Sequence, residues 1–167
     1  MNDFSRSPTP LLFLDFDGVL HPDAVYLERG QLILRRDGIA LFEWAPLLQH
    51  ALAQHPEIKI VLATSWISIG FAFAKAQLPR LLQERVIGAT VDGADNDFKW
   101  LTRYRQILQY VRRSQCDRWL AIDDDVENWG DQHRAQLVAT DGDLGLAEPG
   151  KLDELAAKLR WLSGDKK

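Results

Sequence analysis

The sequence predicts an α/β protein: a three-layer sandwich with a mostly parallel central sheet, a short hairpin flap and no large cap domain. Three short apolar runs, each bounded by polar or turn residues, alternate with stretches of helical periodicity. A short continuous apolar run is typical of a strand covered on both faces, as in a parallel sheet. The alternation of such strands with helices favours this architecture.

In the first half of the chain, the run LLFLDF from Leu11 predicts the first strand. Residues 25–34, VYLERGQLIL, predict a hairpin with the Arg-Gly pair in its turn. A helix is predicted from Pro46, because proline suits a first helical position and leucines follow at spacings of three and four. The run IKIVLAT from Ile58 predicts the second strand.

In the second half, TRYRQILQYVRR from Thr102 has one apolar face at helical spacing and predicts a helix. The run RWLAIDDD from Arg118 predicts a third strand, and the weaker run QLVAT from Gln136 predicts a fourth. The leucines of KLDELAAKLRWL, from Lys151, predict a closing helix. Residues 66–98 are expected to hold about one helix-and-loop excursion.

The length of 167 residues, with 46% hydrophobic residues, fits one domain with a real core. We expect a polar, disordered lead over residues 1–10, one domain over 11–163 and a polar tail over 164–167. The formal net charge of -4 gives no global sign of a nucleic-acid or membrane surface. The single cysteine, Cys116, excludes an internal disulfide framework and a Cys-based zinc cluster. No membrane partner and a cytoplasmic location are expected.

Polar side chains collect where the predicted strands end. Asp15 and Asp17 end the first strand, Thr64 and Ser65 end the second, and residues 123–125, all aspartates, end the third. In an open parallel sheet, ligands bind outside the carboxyl ends of the strands. We therefore expect the functional site at this edge.

Carboxylates that are brought together repel one another unless some bind protons or a cation lies between them. Mg²⁺ prefers oxygen ligands and usually keeps several waters, so the acidic clusters predict a magnesium site. A magnesium ion with a nearby hydroxyl and a basic side chain is the equipment that holds a phosphoryl group. The sequence therefore predicts phosphoryl chemistry.

Three motifs in order give the chain a resemblance to the haloacid dehalogenase (HAD) superfamily. FLDFDGVL resembles its first motif, IVLATS its second and LAIDDD its fourth. Within the superfamily the chain looks closest to small HAD domains related to nucleic-acid repair phosphatases, on the stretches FLDFDGVLHP, TSW, VIGAT, RYRQIL, WLAIDDD and TDGDLGL. Ile67 stands where an arginine would be expected after TSW.

The resemblance assigns roles to the residues of the first two motifs. Asp15 would be the nucleophile that forms an aspartyl-phosphate, and Asp17 the general acid and then the general base. Residues two apart on a strand share one side, so both can approach the same phosphoryl group. Thr64 would bind a phosphoryl oxygen, with Ser65 as the alternative one residue on.

The third and fourth motifs supply a basic residue and metal ligands. Lys99 and Arg103, one helical turn apart, are both candidates for the basic residue. Asp124 is the first choice as metal ligand and Asp123 the second or a support. Asp15 and Asp17 would complete the Mg²⁺ coordination, Asp17 through its backbone carbonyl.

Three further residues lie in or near the motifs, and two of them have candidate roles. Gly18 fits a sharp exit from the strand or a close approach to substrate. Trp66 is a candidate to stack on a base or sugar, although core packing is the commoner role for such a residue. His21 is expected to be a loop histidine without a role.

The function predicted is an Mg²⁺-dependent phosphomonoester hydrolase. Its open site favours a nucleotide, a nucleic-acid end or another bulky phosphomonoester. The sequence does not choose between a phosphorylated small molecule and a nucleic-acid end. A phosphorelay receiver, a nuclease built on clustered acids and an inactive HAD-like binding module are the alternatives. The order of the motifs disfavours a receiver, and Thr64 and Lys99 would be unexplained in a nuclease. The sequence predicts no oligomeric state.

Overall fold

The computed structural model describes residues 9–91 and 101–164. The strands are β1 (Leu11–Leu14), β2 (Val25–Glu28), β3 (Gln31–Leu34), β4 (Lys59–Leu62), β5 (Val86–Ala89), β6 (Trp119–Asp123) and β7 (Leu137–Ala139). The α-helices are α1 (Ala45–Leu52), α2 (Phe71–Ala76), α3 (Arg80–Gln83), α4 (Arg103–Ser114) and α5 (Lys151–Ser163). Most of the expected lead (residues 1–8) and of the expected tail (165–167) lie outside the described residues.

Five parallel strands form the central sheet in the order β5-β4-β1-β6-β7. β1 lies in the middle, with Leu14 paired to Leu62 on one side and to Ile122 on the other. The α/β sandwich predicted from the sequence is confirmed. The central position of β1 places the residue that follows it between the carboxyl ends of β4 and β6.

Helices cover both faces of the sheet. Alternate residues of β1 face opposite sides, so this strand contributes to two apolar clusters. Leu12 and Leu14 belong to the larger apolar cluster, which also contains buried side chains of α1 and α5. Leu11 and Phe13 belong to a second cluster with the buried face of α4. All four side chains are at most 4% exposed, which accounts for the uninterrupted apolar run.

The edge strand β5 is the main departure from the predicted order of elements. The segment after Trp66 holds a 3₁₀ turn, the short helices α2 and α3, and β5, which pairs with β4. Only Val86 and Ala89 of β5 are buried. An edge strand with a half-exposed face carries no continuous apolar run, and the expectation of a single helix-and-loop excursion was therefore wrong.

The hairpin β2–β3 follows β1 at the carboxyl edge of the sheet. Its turn is at Arg29 and Gly30, both with positive φ, as predicted. Arg36, just beyond β3, forms an ion pair with Asp143 in the loop after β7. Val25 and Leu32 pack against the larger apolar cluster, which anchors the hairpin to the domain.

Two further properties concern the single cysteine and the helices. Cys116 is buried and free. Within residues 9–91 and 101–164, no helix has the length and apolar character that crossing a membrane requires.

Candidate active site

Asp15 lies at the centre of the carboxyl edge because it directly follows β1. Its backbone N–H donates to the carbonyl of Ile122 at 3.2 Å, which continues the pairing with β6. The side chain is only 5% exposed, and its Oδ1 accepts a hydrogen bond from the N–H of Phe16 at 2.8 Å. The sheet thus fixes both the backbone and the carboxylate of Asp15.

Arg103 is the basic residue that the structure places against Asp15. Its Nη1 lies 3.2 Å from Asp15 Oδ1, and its side chain is 16% exposed. Arg103 is the first residue of α4, which begins after Thr102, whose hydroxyl accepts a hydrogen bond from the N–H of Arg105. Lys99, the other candidate, lies outside the described residues.

Thr64 and Ser65, which follow β4, have different surroundings. Thr64 is buried, its hydroxyl accepts a hydrogen bond from the N–H of Trp66 at 3.4 Å, and its proximity to the Asp15 carboxylate lowers the pKa of that group. Ser65 is exposed and begins the 3₁₀ turn Ser65–Ser68. Of the two predicted phosphate ligands, Thr64 is the one that influences the Asp15 carboxylate.

The carboxylates of Asp15, Asp123 and Asp124 form a group that can hold a metal ion. One oxygen from each lies within 4.8 Å of the others. Asp123 is 1% exposed; its Oδ1 accepts from the N–H of Asp125 at 3.0 Å, whereas its Oδ2 is buried without a hydrogen-bond partner. A buried carboxylate oxygen without a donor fits a hard cation, so these residues suit Mg²⁺.

Burial raises the pKa values of all three carboxyl groups in this cluster. Burial raises the pKa of Asp15, against the opposing effect of Arg103. Burial and the charge of Asp15 raise the pKa of Asp123 well above its ordinary value. Burial, Asp15 and Asp23 raise the pKa of Asp124 to about 7. Neutral pH therefore leaves the group in need of protons or of a cation.

A dependence of stability on pH and magnesium follows. The pKa of Asp124 is about 7 in the folded protein, against 3.8 for the free side chain. The free energy of unfolding without metal therefore falls as the pH rises between these values. If Mg²⁺ binds the ionised carboxylates of the folded state, it should raise the melting temperature more at about pH 7.5 than at about pH 5.

Thermal unfolding at the two pH values, with and without Mg²⁺, measures this effect. Asp124→Asn is the control, since it removes the titrating group and should flatten the pH dependence and reduce the magnesium shift. An equal magnesium shift at both pH values would contradict the assignment of these carboxylates as ligands.

Gly18 makes room for Asp124. Its φ of +68° lies in the left-handed region, and a Cβ there would lie 2.3 Å from Asp124 Oδ2. Its carbonyl accepts a hydrogen bond of 2.7 Å from Thr140, in the loop after β7. The positive φ agrees with the predicted sharp exit from β1, and the structure requires space for the Asp124 carboxylate at this position. It does not test the predicted contact of Gly18 with substrate. Thr140 was not among the predicted site residues, although it is the first residue of the family-like stretch TDGDLGL.

We expect Gly18→Ala to destabilise the protein and to abolish the magnesium shift, because alanine must displace Asp124. Gly38→Ala is a matched control, since Gly38 has a φ of +76° and no atom within 4 Å of a built Cβ. The control should cost about 1 kcal/mol, the penalty of positive φ alone. Urea unfolding measures both; equal losses in the two variants would contradict the clash with Asp124.

The carboxylate of Asp17 is not part of the group of three carboxylates that could hold a metal ion, and it is held from two sides. Oδ1 is 3.0 Å from Nε2 of His21, and Oδ2 accepts from Nε1 of Trp66 at 2.9 Å. The structure does not test the predicted metal bond of the Asp17 carbonyl. It leaves the side chain available for proton transfer.

The two partners of Asp17 correct two expectations. Trp66 is 3% exposed, and its ring packs edge-on against Phe16 and Phe42, so it offers no face on which a base could stack. His21 is fully buried and is not a loop histidine without a role. Its position four residues after Asp17, just beyond the first motif, was the only signal in the sequence.

A cleft of about 450 Å³ adjoins the site. Thr64, Ser65 and Arg103 line it on the side of Asp15, and Asp125 also contributes. Its other described walls include the apolar side chains of Ile67, Val91 and Leu101. The cleft has room for a chemical group beside Asp15.

The chain is similar to one protein family and, more remotely, to two solved structures. A family profile, the HAD domain in Swiss Army Knife RNA repair proteins, matches residues 11–150. A hypothetical protein of Xanthomonas campestris is 15% identical, with a TM-score of 0.46 over 98% of this chain and 91% of its own. A Vibrio cholerae protein, provisionally named a 3-deoxy-D-manno-octulosonate 8-phosphate phosphatase, is 17% identical, with a TM-score of 0.41 over 96% and 88%. No curated protein matches the chain.

The family match extends from the first residue of β1 to the residue before α5, and so contains all five strands of the central sheet. It confirms the resemblance to the HAD superfamily and supports phosphatase chemistry at the level of the family. The chain belongs to the family of HAD domains found in Swiss Army Knife RNA repair proteins.

Proposed function

We propose that the protein is an Mg²⁺-dependent phosphomonoester hydrolase that acts through an aspartyl-phosphate on Asp15. The observation that carries this proposal is the arrangement around that residue. Asp15 is buried, with Arg103 at 3.2 Å, the Thr64 hydroxyl beside it and two further carboxylates in metal-binding range. Asp17 lies two residues on, with its carboxylate outside that group.

In the first step, an Asp15 carboxylate oxygen attacks phosphorus, and the bond from phosphorus to the leaving oxygen breaks. Asp17 gives its proton to the leaving oxygen, so an alcohol departs and Asp17 becomes a carboxylate. Arg103 and Thr64 donate to the phosphoryl oxygens, where the negative charge of the transition state is concentrated.

In the second step, ionised Asp17 takes a proton from a water molecule whose oxygen attacks phosphorus. The bond between Asp15 and phosphorus breaks, inorganic phosphate leaves, and both aspartates return to their starting states. Asp15, Asp123 and Asp124 would hold Mg²⁺, with Asp17 contributing its backbone carbonyl. When bound, the ion neutralises charge that would otherwise keep the carboxylate and the phosphate apart.

The substrate proposed is a phosphomonoester on a nucleotide or a nucleic-acid end. Two observations support it: the name of the family refers to RNA repair, and the cleft beside Thr64 and Ser65 has room for a bulky leaving group. Enclosure by a large cap, which small metabolites usually require, is not expected from the short segment between β1 and β4.

Turnover of an aryl phosphate with and without Mg²⁺ tests the reaction, and fluoroberyllate binding tests the nucleophile. A panel of nucleotides, 3′- and 5′-phosphorylated oligonucleotides, phosphopeptides and sugar phosphates tests the substrate class. We expect Mg²⁺-dependent release of phosphate, fastest from nucleotides or oligonucleotide ends. No turnover together with no fluoroberyllate binding would overturn the proposal. A long-lived phosphoprotein would indicate a receiver, and internal cleavage of RNA or DNA a nuclease.

A further inference from the structure

Asp17 is held at both carboxylate oxygens by side chains that the reaction described above does not use. His21 Nε2 lies 3.0 Å from Oδ1, and Trp66 Nε1 donates to Oδ2 at 2.9 Å. His21 is 0% and Trp66 3% exposed, whereas the Asp17 side chain between them is 19% exposed. Two donors on opposite oxygens prevent the carboxylate from rotating about its Cβ–Cγ bond.

The tautomer of His21 follows from its second hydrogen bond. The backbone N–H of Phe42 donates to His21 Nδ1 at 3.2 Å, so Nδ1 carries no proton. In the neutral ring the proton is then on Nε2, which donates to Asp17. The contact between Phe42 and His21 thus determines that the ring presents a donor, and not an acceptor, to Asp17.

Phe42 reaches this position through an uncommon backbone conformation. Its φ of +59° lies in the left-handed region, which a bulky residue rarely adopts. Its ring packs edge-on against His21, Phe16 and Trp66 at centroid distances of 4.8, 5.1 and 5.3 Å. Strained backbone of this kind persists where surrounding contacts enforce it, and it is concentrated at functional sites.

We propose that His21 and Trp66 are positioning residues that hold the Asp17 carboxyl group in the orientation required for proton transfer to the leaving oxygen. This inference rests on the proposed function. Each carboxylate oxygen has two lone pairs, and each donor occupies one. A lone pair therefore remains on each oxygen for the proton that Asp17 gives and takes. Because the carboxyl group is already oriented before the reaction, no free energy is needed to orient it in the transition state.

The expected signature is a loss of activity that depends on the leaving group. A nitrophenolate leaves readily without a proton, whereas an alkoxide needs one. Trp66→Phe removes one donor and keeps an aromatic ring, and His21→Gln retains an N–H donor that His21→Leu lacks. For an alkyl phosphate we expect kcat/KM to fall about 10- to 100-fold in Trp66→Phe and in His21→Leu. For dinitrophenyl phosphate it should fall by less than about threefold.

Two substitutions elsewhere control for lost packing. Trp119→Phe alters a tryptophan that is equally buried but belongs to the other apolar cluster. His55→Gln alters a buried histidine whose Nδ1 lies 2.6 Å from the Ser163 hydroxyl. Both should leave the ratio of alkyl to dinitrophenyl turnover unchanged. Fluoroberyllate binding at Asp15 should be retained in Trp66→Phe, because the nucleophile is untouched.

The outcomes separate the two proposals. A steeper dependence on the leaving group in Trp66→Phe and His21→Leu, with His21→Gln intermediate, supports the positioning role. Equal losses for both substrates in an active protein would overturn that role alone. A wild-type protein that hydrolyses neither substrate would overturn the proposed function and the positioning role with it. Nitrogen NMR of the His21 ring gives a further readout, and a proton on Nδ1 would contradict the inference.

Discussion

Replacing Asp15 by asparagine is expected to abolish phosphatase turnover, with a loss of about 10³-fold or more. An amide nitrogen carries no negative charge and is not a nucleophile toward phosphorus, whereas the shape of the side chain is almost unchanged. The substitution also removes the negative charge from one of the three carboxylates that could hold a metal ion. Initial rates with an aryl phosphate at saturating Mg²⁺ measure the loss.

Asp117→Asn is the matched control, because Asp117 is exposed and lies in the connection before β6, at the opposite edge of the sheet. It should retain wild-type turnover. Circular dichroism should show that Asp15→Asn is folded. Asp15→Asn with more than about a tenth of wild-type activity would mean that another group attacks phosphorus.

Replacing Asp17 by asparagine is expected to lower turnover by about 10²- to 10⁴-fold, the usual contribution of a general acid or base. Asparagine cannot give up a proton to the leaving oxygen or accept one from water. A dinitrophenolate leaves without a proton, so the first step depends less on Asp17 as general acid. The second step still lacks its general base. Under those conditions the phosphorylated enzyme should accumulate, which rapid quenching with a labelled phosphate measures.

Asp17→Asn should also destabilise the fold, for a reason specific to this site. His21 and Trp66 both donate to Asp17, so the amide group of asparagine must face one of these donors with its own N–H. A change of tautomer at His21 does not relieve the conflict, because Nδ1 would then carry a proton toward the N–H of Phe42. One buried donor left unsatisfied costs about 1–3 kcal/mol.

Urea unfolding of Asp17→Asn, alone and combined with Trp66→Phe, tests this conflict. The double variant removes one of the two donors, and the asparagine N–H can then face the phenylalanine side. The two substitutions together should therefore cost less than the sum of their separate effects. Strict additivity would mean that the two hydrogen bonds to Asp17 contribute little.

The position of the candidate site could largely be predicted from the sequence because the site lies where strands end. An apolar run that stops at a pair of aspartates locates both a buried strand and its carboxyl edge. β1 and β6 were each predicted in this way, and the carboxylates after Leu14 and at Asp123 meet as expected. Arg103 was predicted from its place at the head of α4, and it contacts Asp15.

The supporting contacts could not be predicted, because they join residues whose proximity only the fold determines. Phe42 meets His21 through a left-handed backbone that no local pattern indicated. Thr140 reaches Gly18 across 122 positions of sequence. Trp66 could be assigned either to the core or to a ligand, and only its hydrogen bond to Asp17 distinguishes a third role. Contacts of this kind depend on the order of strands in the sheet.

The nature of the covalent intermediate tests the central claim most directly. Protein quenched during turnover is treated with borohydride, which reduces an aspartyl-phosphate to homoserine, and the peptides are then sequenced by mass spectrometry. Phosphoryl transfer to Asp15 predicts homoserine at position 15 in wild-type protein and none in Asp15→Asn. Turnover without any reduced aspartate, or with homoserine at Asp123 or Asp124, would contradict the assignment of Asp15 as the nucleophile.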